Sequence, residues 1–228
     1  MPTTDFEDQR ERLIEKRLRN RGIADVAVLI AFREVPREEF VPDDLREFAY
    51  RNSALPIGSG QTISQPYIVA LMTAALDLQP GERVLEIGTG SGYAAAVLSR
   101  IAKQVYTVER IGDLARTAES RLKRLGFNNV QVLHADGTLG WADQAPFDAI
   151  VVTAGGPRVP PALLQQLRIG GRLVIPVGDE MHQQQLIRIV RTGQDQFEQT
   201  DLGGVLFVPL IGEAGWQADD DGIGADQT

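Results

Sequence analysis

Between residues 82 and 176 the chain alternates short apolar runs with amphipathic stretches of helical period, and that alternation leaves few folds open. Arg83–Ile87, Gln104–Val108, Val130–His134, Phe147–Thr153 and Arg172–Pro176 read as strands. Tyr93–Ile101, Asp113–Leu125 and Pro161–Leu167 read as helices. Val84-Leu85, Ile150-Val151-Val152 and Leu173-Val174-Ile175 have no polar alternate, as expected of strands buried on both faces. Repetition of this kind predicts an α/β class fold, a doubly wound and mostly parallel sheet with helices on both sides. Gln185–Val190 and Val205–Leu210 look like two further strands. No helical pattern separates them, so the C-terminal strands are expected to be antiparallel.

The N-terminal part has a different texture. Residues 1–50 are dense in charge of both signs. Leu13, Ile14 and Leu18 recur at helical spacing, as do Val26, Leu29 and Ile30, and Pro36 and Pro42 punctuate the stretch after them. An N-terminal helical cap is expected. Residues 51–66 form a Gly/Ser/Thr-rich polar loop leading into a helix over Tyr67–Leu78, with Ile68, Leu71, Met72, Ala75 and Leu76 as its apolar stripe. Ser64 suits an N-cap, and Pro66 suits the first turn, where a missing N–H costs little. The chain thus divides into a cap with its polar loop (1–80), an α/β core (81–216) and an acidic tail (217–228) expected to be disordered.

Composition removes several functions. There are 23 basic and 31 acidic residues, a net charge of −8, so nucleic acid is not an expected partner. With no cysteine there is no disulfide, no thiol nucleophile and no cysteine-based zinc site. Two histidines, His134 and His182, cannot build a multi-histidine centre, so no metal is expected. No stretch approaches the roughly 20 apolar residues that span a bilayer, and the N-terminus lacks the apolar core of a secretory signal. A soluble, cytoplasmic protein without membrane contact is expected, working as a monomer.

The strongest local signal is Val84-Leu85-Glu86-Ile87-Gly88-Thr89-Gly90-Ser91-Gly92-Tyr93, an apolar strand ending in a glycine-rich turn before a helix. Glycine lets backbone approach a ligand, and the helix start offers free N–H groups. A dinucleotide fold wants G-x-G-x-x-G, but Tyr93 stands where its last glycine belongs. A generic nucleotide-type turn remains an alternative. Glu109, 21 residues after Gly88 at the end of the next strand, suits a pair of ribose hydroxyls; the alternative is a solvated surface carboxylate. His134-Ala135-Asp136-Gly137 follows the third strand. Asp-Gly alone reads equally well as a turn, and His134 as a partly buried structural residue.

The E-x-G-x-G-x-G form, with Glu86 two residues before Gly88, resembles motif I of the S-adenosylmethionine-dependent methyltransferases. That resemblance implies a Rossmann-like methyltransferase fold and S-adenosyl-L-methionine as cofactor. It places Glu86, Gly88, Thr89, Gly90, Ser91, Gly92, Glu109, Arg110, Asp136 and Gly137 around it, with Asp136 facing the adenine amino group. More specific is Leu55 through Tyr67 (LPIGSGQTISQPY), which resembles the active-site loop of the protein-L-isoaspartate O-methyltransferase family. Further blocks of that resemblance are Arg33–Pro42, Phe147–Thr153, Gly170–Gly178 and Phe207–Leu210, in the family's order and spacing. Carried over, the family's active-site serine falls on Ser64. Gln61, Thr62 and Ile63 fall on the segment closing over cofactor and substrate. Thr62, Ser64, Val205, Val208, Pro209 and Leu210 fall on the side that holds the substrate peptide.

The activity so implied is methyl transfer to the α-carboxylate of L-isoaspartyl residues in damaged proteins and peptides, which starts repair through a succinimide. Two readings stand beside it: methylation of an aspartate in a dedicated partner peptide, and a non-catalytic cofactor-binding module. One departure from the family is Ala154-Gly155-Gly156-Pro157, whose extra glycines are expected to loosen that loop. The acidic tail has no counterpart in the resemblance.

Overall fold

A computed structural model describes residues 6–180 and 183–217. The chain opens with α1 (Phe6–Leu13) and α2 (Val26–Glu34), followed by a short hairpin of β1 (Leu55–Gly58) and β2 (Gln61–Ile63) and by α3 (Pro66–Ala75). Then come β3 (Arg83–Ile87), α4 (Tyr93–Ser99), β4 (Gln104–Glu109), α5 (Gly112–Arg124) and β5 (Val130–His134). The last elements are β6 (Phe147–Val152), α6 (Pro161–Gln166), β7 (Leu167–Glu180), β8 (Gln183–Arg191) and β9 (Phe197–Val205). Seven strands form one sheet in the order β5-β4-β3-β6-β7-β8-β9. The five from β5 to β7 are parallel, while β8 runs antiparallel to both β7 and β9. The α/β class, the mostly parallel sheet and the antiparallel C-terminal end are as expected.

The apolar runs have two jobs because successive side chains on a strand point to opposite faces. Val84, Val105, Ala149, Val151 and Val174 join the cluster on one face. Leu85, Val108, Ile150, Val152, Leu173 and Ile175 join the cluster on the other. The first cluster also takes in Leu13, Ile14 and Leu18, and with them Phe32, Phe40, Tyr93 and Phe127. The N-terminal helices are therefore part of one face's layer. Asp25 caps α2 by accepting from the Val28 N–H at 3.1 Å.

Four expectations need correction. In α2 the buried residues are Val28, Leu29, Ala31 and Phe32, while Val26 and Ile30 face solvent. The N-cap of α3 is Gln65 and no side chain caps it, so Ser64 is not a helix cap; Pro66 occupies the first turn as expected. His134 is exposed, its Nε2 against the Arg110 carbonyl at 3.1 Å. The final strand is Phe197–Val205, not Val205–Leu210. As a sheet edge β9 is largely exposed and its sequence is polar, so it carries no strand-like apolar pattern. The apolar residues 206–210 leave the sheet and bury Phe207 and Leu210 elsewhere. Of the acidic tail, residues 218–228 lie outside the described residues.

β3 pairs with β4 on one side and β6 on the other. The strand order reverses there, and open α/β sheets bind ligands in the crevice beyond the strand carboxyl ends at such a point. The glycine-rich turn leaves β3 into that crevice.

Candidate active site

The glycine-rich turn is held by its own backbone and by neighbouring strand ends. Gly88 has φ of +96°, and a side chain there would collide with the Thr153 hydroxyl just past β6. That hydroxyl donates to the carbonyls of Gly88 at 2.8 Å and Ile87 at 3.0 Å, while Gly88 N–H donates to Val108 O at 2.8 Å. Gly90 N–H donates to Glu109 Oε2 at 2.8 Å and Ile111 N–H to Glu109 Oε1 at 2.9 Å. Glu109 thus fixes the turn and still keeps lone pairs on the cavity it lines.

Beneath the turn, the Thr107 hydroxyl donates to Glu86 Oε2 at 2.6 Å and also meets the Thr89 hydroxyl at 2.6 Å. Glu86 is wholly buried and its Oε1 has no partner among the described residues. Burial first, and the Glu109 charge in addition, push its carboxyl up to about 8 against the Thr107 hydrogen bond, so the neutral acid dominates at pH 7.

Two narrow cavities adjoin above this floor and share Thr62, Gly88, Gly90 and Thr153. One is completed by Ile63, Ser64, Thr89, Ser91 and Tyr93. The other is completed by Gln61, Glu109, Arg110, Ile111, Gly137, Ala154 and residues 208–211. Next to them lies a wider cleft bordered by residues 52–54, Thr62, Ser64, Ile68, Thr153 and two segments, 183–185 and 204–208. Thr62 and Thr153 line all three spaces, and Ser64 lines the first cavity and the cleft.

Half-buried Ser64 follows the β1–β2 hairpin, in which Leu55 pairs with Ile63 and Pro56 with Thr62. Its carbonyl accepts from Arg37 Nη2 at 2.8 Å, and its hydroxyl makes no hydrogen bond among the described residues. Asn52 holds residues just after Ser64: its carbonyl accepts from Gln65 Nε2 at 2.6 Å and its Oδ1 from Tyr67 N–H at 3.3 Å. A free hydroxyl therefore stands on an anchored backbone where a glycine-rich crevice meets an open cleft.

Against known families, residues 8–215 match the sequence model described as protein-L-isoaspartate(D-aspartate) O-methyltransferase. The chain belongs to that family. A protein-L-isoaspartate O-methyltransferase 2 of Pelobacter propionicus is 61% identical over 210 residues, covering 92% of this chain and 93% of the relative. A protein-L-isoaspartate O-methyltransferase 1 of Geotalea uraniireducens is 58% identical, covering 92% and 95%. Among solved structures, a protein-L-isoaspartate O-methyltransferase superposes with a TM-score of 0.81 at 32% identity, over 90% of this chain and 67% of the other. A Plasmodium falciparum structure described as such a methyltransferase in complex with S-adenosyl-L-homocysteine superposes with a TM-score of 0.75 at 26% identity, over 90% and 98%.

Most of the residues that the isoaspartyl methyltransferase resemblance singled out converge here: Gln61, Thr62, Ile63, Ser64, Gly88, Thr89, Gly90, Ser91, Glu109, Arg110 and Gly137 line the two cavities. Val205 lines the cleft, Val208 lines both the cleft and the second cavity, and Pro209 and Leu210 line the second cavity alone. Three others are placed differently. Glu86 lies under the turn and lines none of these spaces. Gly92 is the N-cap of α4 at φ +89°, where a side chain would press on Leu122. Asp136 accepts from Thr138 N–H at 2.8 Å and its hydroxyl at 2.7 Å through Oδ1, and from Glu213 N–H at 2.8 Å through Oδ2. Its carboxylate clasps the chain after β9, and only Gly137 reaches the cavity.

Nor does the Gly155-Gly156 pair loosen its loop. Gly155 N–H donates to Val208 O and Gly155 O accepts from Leu210 N–H, both at 2.8 Å. A side chain at 155 would collide with Gln184, whose amide pairs with Phe207 N–H and O at 2.9 and 3.1 Å. Asn52 and Gln184 lie outside the quoted motifs, and Arg37 and Thr153 lie inside blocks of the resemblance that assigned them no role. Their signal lies in contacts between segments remote in sequence.

The donor set fits S-adenosyl-L-methionine. Glu109 offers carboxylate lone pairs for a ribose diol. The hydroxyls of Thr62, Thr89, Ser91 and Thr153 suit the ammonium and carboxylate of an amino acid. Ile111, Ala154, Leu210 and Ile211 offer apolar walls for a base.

Proposed function

We propose that this chain methylates the α-carboxylate of L-isoaspartyl residues in damaged proteins and peptides, with Ser64 orienting the acceptor. When bound, S-adenosyl-L-methionine supplies a methyl group activated by the sulfonium charge. Glu109, Gly88, Thr89, Gly90 and Ser91 would hold that cofactor, with Gln61, Thr62, Ile63, Arg110 and Gly137 around it. The placement of Ser64 carries the reading, since its unbonded hydroxyl lines both the glycine-rich cavity and the open cleft.

The acceptor is already an anion. A carboxyl with a reference pKa near 4 is ionised at pH 7, so no general base is needed, and none of the cavity-lining side chains is a histidine. What remains for the chain is alignment and exclusion of water, which can contribute about 7–11 kcal/mol. Ser64 would donate to the carboxylate and turn one oxygen toward the cavity, with Thr62 and Thr153 closing the junction. The methyl ester leaves the site and closes to a succinimide by attack of the following backbone nitrogen, expelling methanol. Hydrolysis of that ring returns part of the material to normal aspartate.

Damaged sites occur in many sequences, so the substrate should be held mainly by its backbone. The expected strand over Val205–Leu210 does not form, yet Leu206 offers its N–H and carbonyl, and Val208 its N–H, with no partner among the described residues. Leu206, 69% exposed, stands at the cleft. An extended peptide could pair with these groups as an added strand. A chain without cysteine needs no oxidising compartment, which suits the cytoplasm.

The test uses purified protein and methyl-labelled cofactor with two matched peptides, one isoaspartyl and one aspartyl. Label should enter the first alone. Equal labelling of both peptides, or labelling of neither, would overturn the reading.

A further inference from the structure

We propose that Arg37 is a positioning residue whose buried guanidinium sets where the Ser64 hydroxyl stands relative to the glycine-rich turn. The inference rests on the methyl-transfer reading above and deepens it. Arg37 is fully buried, makes no ion pair among the described residues, and has an Nη1 with no hydrogen-bond partner. Burial works against its charge and lowers its pKa. An unpaired cation in a core is costly, so the contacts it does make call for a functional account.

Those contacts join the two sides of the cavity. Nε donates to Ala49 O at 2.8 Å, and Nη2 donates to Ser64 O at 2.8 Å. The guanidinium carbon lies 4.7 Å from the Tyr93 ring centroid. Tyr93 is the first residue of α4, directly after Gly92, and its own ring is fixed by Phe32 at 6.0 Å and Phe40 at 5.6 Å. One planar group therefore touches both the serine that closes the loop and the helix that the glycine-rich turn opens. A fork of donors on a stacking plane suits that task. A lysine has a compact ammonium that cannot reach two carbonyls and cover a ring together.

The fold supplies a control. Beside Arg37, the Tyr50 hydroxyl accepts from Arg10 Nε at 2.7 Å and donates to Glu38, and Arg10 Nη2 donates to Glu38 Oε1 at 3.2 Å. This network is less deeply buried, with the Arg10 and Glu38 side chains 14% and 10% exposed, and none of its side-chain bonds reaches Ser64. Tyr50→Phe breaks it at one atom.

The experiment compares wild type, Arg37→Lys, Arg37→Met and Tyr50→Phe in full-length protein. It measures kcat and KM for an isoaspartyl peptide, Kd for S-adenosylhomocysteine by calorimetry, Tm, and amide hydrogen exchange over residues 61–67 with S-adenosylhomocysteine bound. Both Arg37 variants should lose about 10-fold or more in kcat, the scale of one misplaced hydrogen bond. Their S-adenosylhomocysteine affinity should stay within about 3-fold, and exchange over 61–67 should speed up. Tyr50→Phe should lower Tm yet keep kcat and that exchange. Should Arg37→Met fail to fold, Arg37→Lys carries the comparison. A folded Arg37→Lys with wild-type kcat and wild-type exchange overturns the proposal, as does a Tyr50→Phe that loses kcat in step with Tm. If wild-type protein itself methylates neither peptide, the functional reading fails, and the exchange comparison still decides whether Arg37 positions the loop.

Discussion

The two halves of the site are built on different principles. The cofactor half rests on the carboxyl ends of β3, β4 and β6, neighbours in a sheet buried on both faces. Its turn is held by Gly88, Gly90, Glu109 and Thr153 through backbone bonds of 2.8–2.9 Å, and Glu109 is only 7% exposed. The substrate half is gathered from residues 52–54, 62–68, 177–179, 183–185 and 204–208, and its Leu206 is 69% exposed. It rests on the antiparallel edge of the sheet, at the end of β7, the start of β8 and the end of β9, and loop residues complete its lining. Side chains tie its segments together: Arg37 holds the Ser64 carbonyl, Asn52 the Tyr67 N–H and Gln184 the Phe207 N–H. The first half is centred on a glycine turn at parallel strand ends. The second, at the edge of the sheet, depends on single side-chain anchors between its segments.

If the halves are separable, one substitution in each should produce opposite defects. Glu109→Ala strips acceptors from Gly90 N–H and Ile111 N–H, and from the ribose proposed to sit on Glu109. With each lost charge-assisted bond contributing about 1.5–3 kcal/mol, affinity for S-adenosylhomocysteine should fall on the order of 100-fold. Ser64→Ala should leave that affinity unchanged and lower kcat about 10-fold or more, since it removes the donor proposed to orient the acceptor. Calorimetry and steady-state kinetics on the two variants read both quantities. A Ser64→Ala protein with wild-type kcat would show that the loop backbone alone orients the carboxylate, and unchanged affinity in Glu109→Ala would move ribose recognition elsewhere.

The same division explains what could be seen in the sequence. The cofactor half is local: an apolar strand, three glycines and a helix start within ten residues, then a carboxylate one strand later. Thr153 carries no such signal, because a threonine at a strand end is unremarkable until β6 is known to lie beside β3, 65 residues away in the chain. Arg37 reads as one of many charges in the N-terminal segment, since nothing local distinguishes a buried arginine from a solvated one. The polar β9 is invisible to an apolar pattern, and the apolar run after it mimics a strand, for one physical reason. An exposed edge strand needs no apolar pattern, while Phe207 and Leu210 owe their hydrophobicity to burial away from the sheet edge. Ser64 matches the preference for a cap, but Gln65 takes that position and frees the hydroxyl.

Asp136 tests the boundary between the halves. Its carboxylate holds Thr138 and Glu213, and with them the segment in which Trp216 Nε1 donates to Gly155 O at 3.0 Å. Leu210 and Ile211 of that segment wall the cofactor cavity. Asp136→Ala should therefore cost about 1–3 kcal/mol of stability, read from urea unfolding. In a Trp141→Phe background, Trp216 emission should shift to the red as its indole loses its shelter. Cofactor affinity should weaken only through the loosened wall, by less than in Glu109→Ala. A loss of affinity as large as that of Glu109→Ala, with Trp216 emission unchanged, would instead mean a direct contact between Asp136 and the cofactor.

The smallest effect concerns the floor beneath the cofactor half, and its sign follows from the direction of the shift. The Glu86 carboxyl stands at about 8 in the folded chain against 4.5 for the unperturbed group. Between those values the native state binds a proton that the unfolded state lacks, so folding takes up a proton there. The stabilisation is complete below about pH 4.5 and is lost as pH rises through 8, at no more than about 1.4 kcal/mol per pH unit. Glu86→Gln keeps the shape and an acceptor for the Thr107 hydroxyl while abolishing the titration. Urea midpoints at pH 5.5, 6.5 and 7.5 should fall more steeply for wild type than for Glu86→Gln. Parallel lines for the two proteins would mean that Glu86 is ionised in the native state, held as an anion by hydroxyls that the Thr89–Thr107 pair alone does not supply.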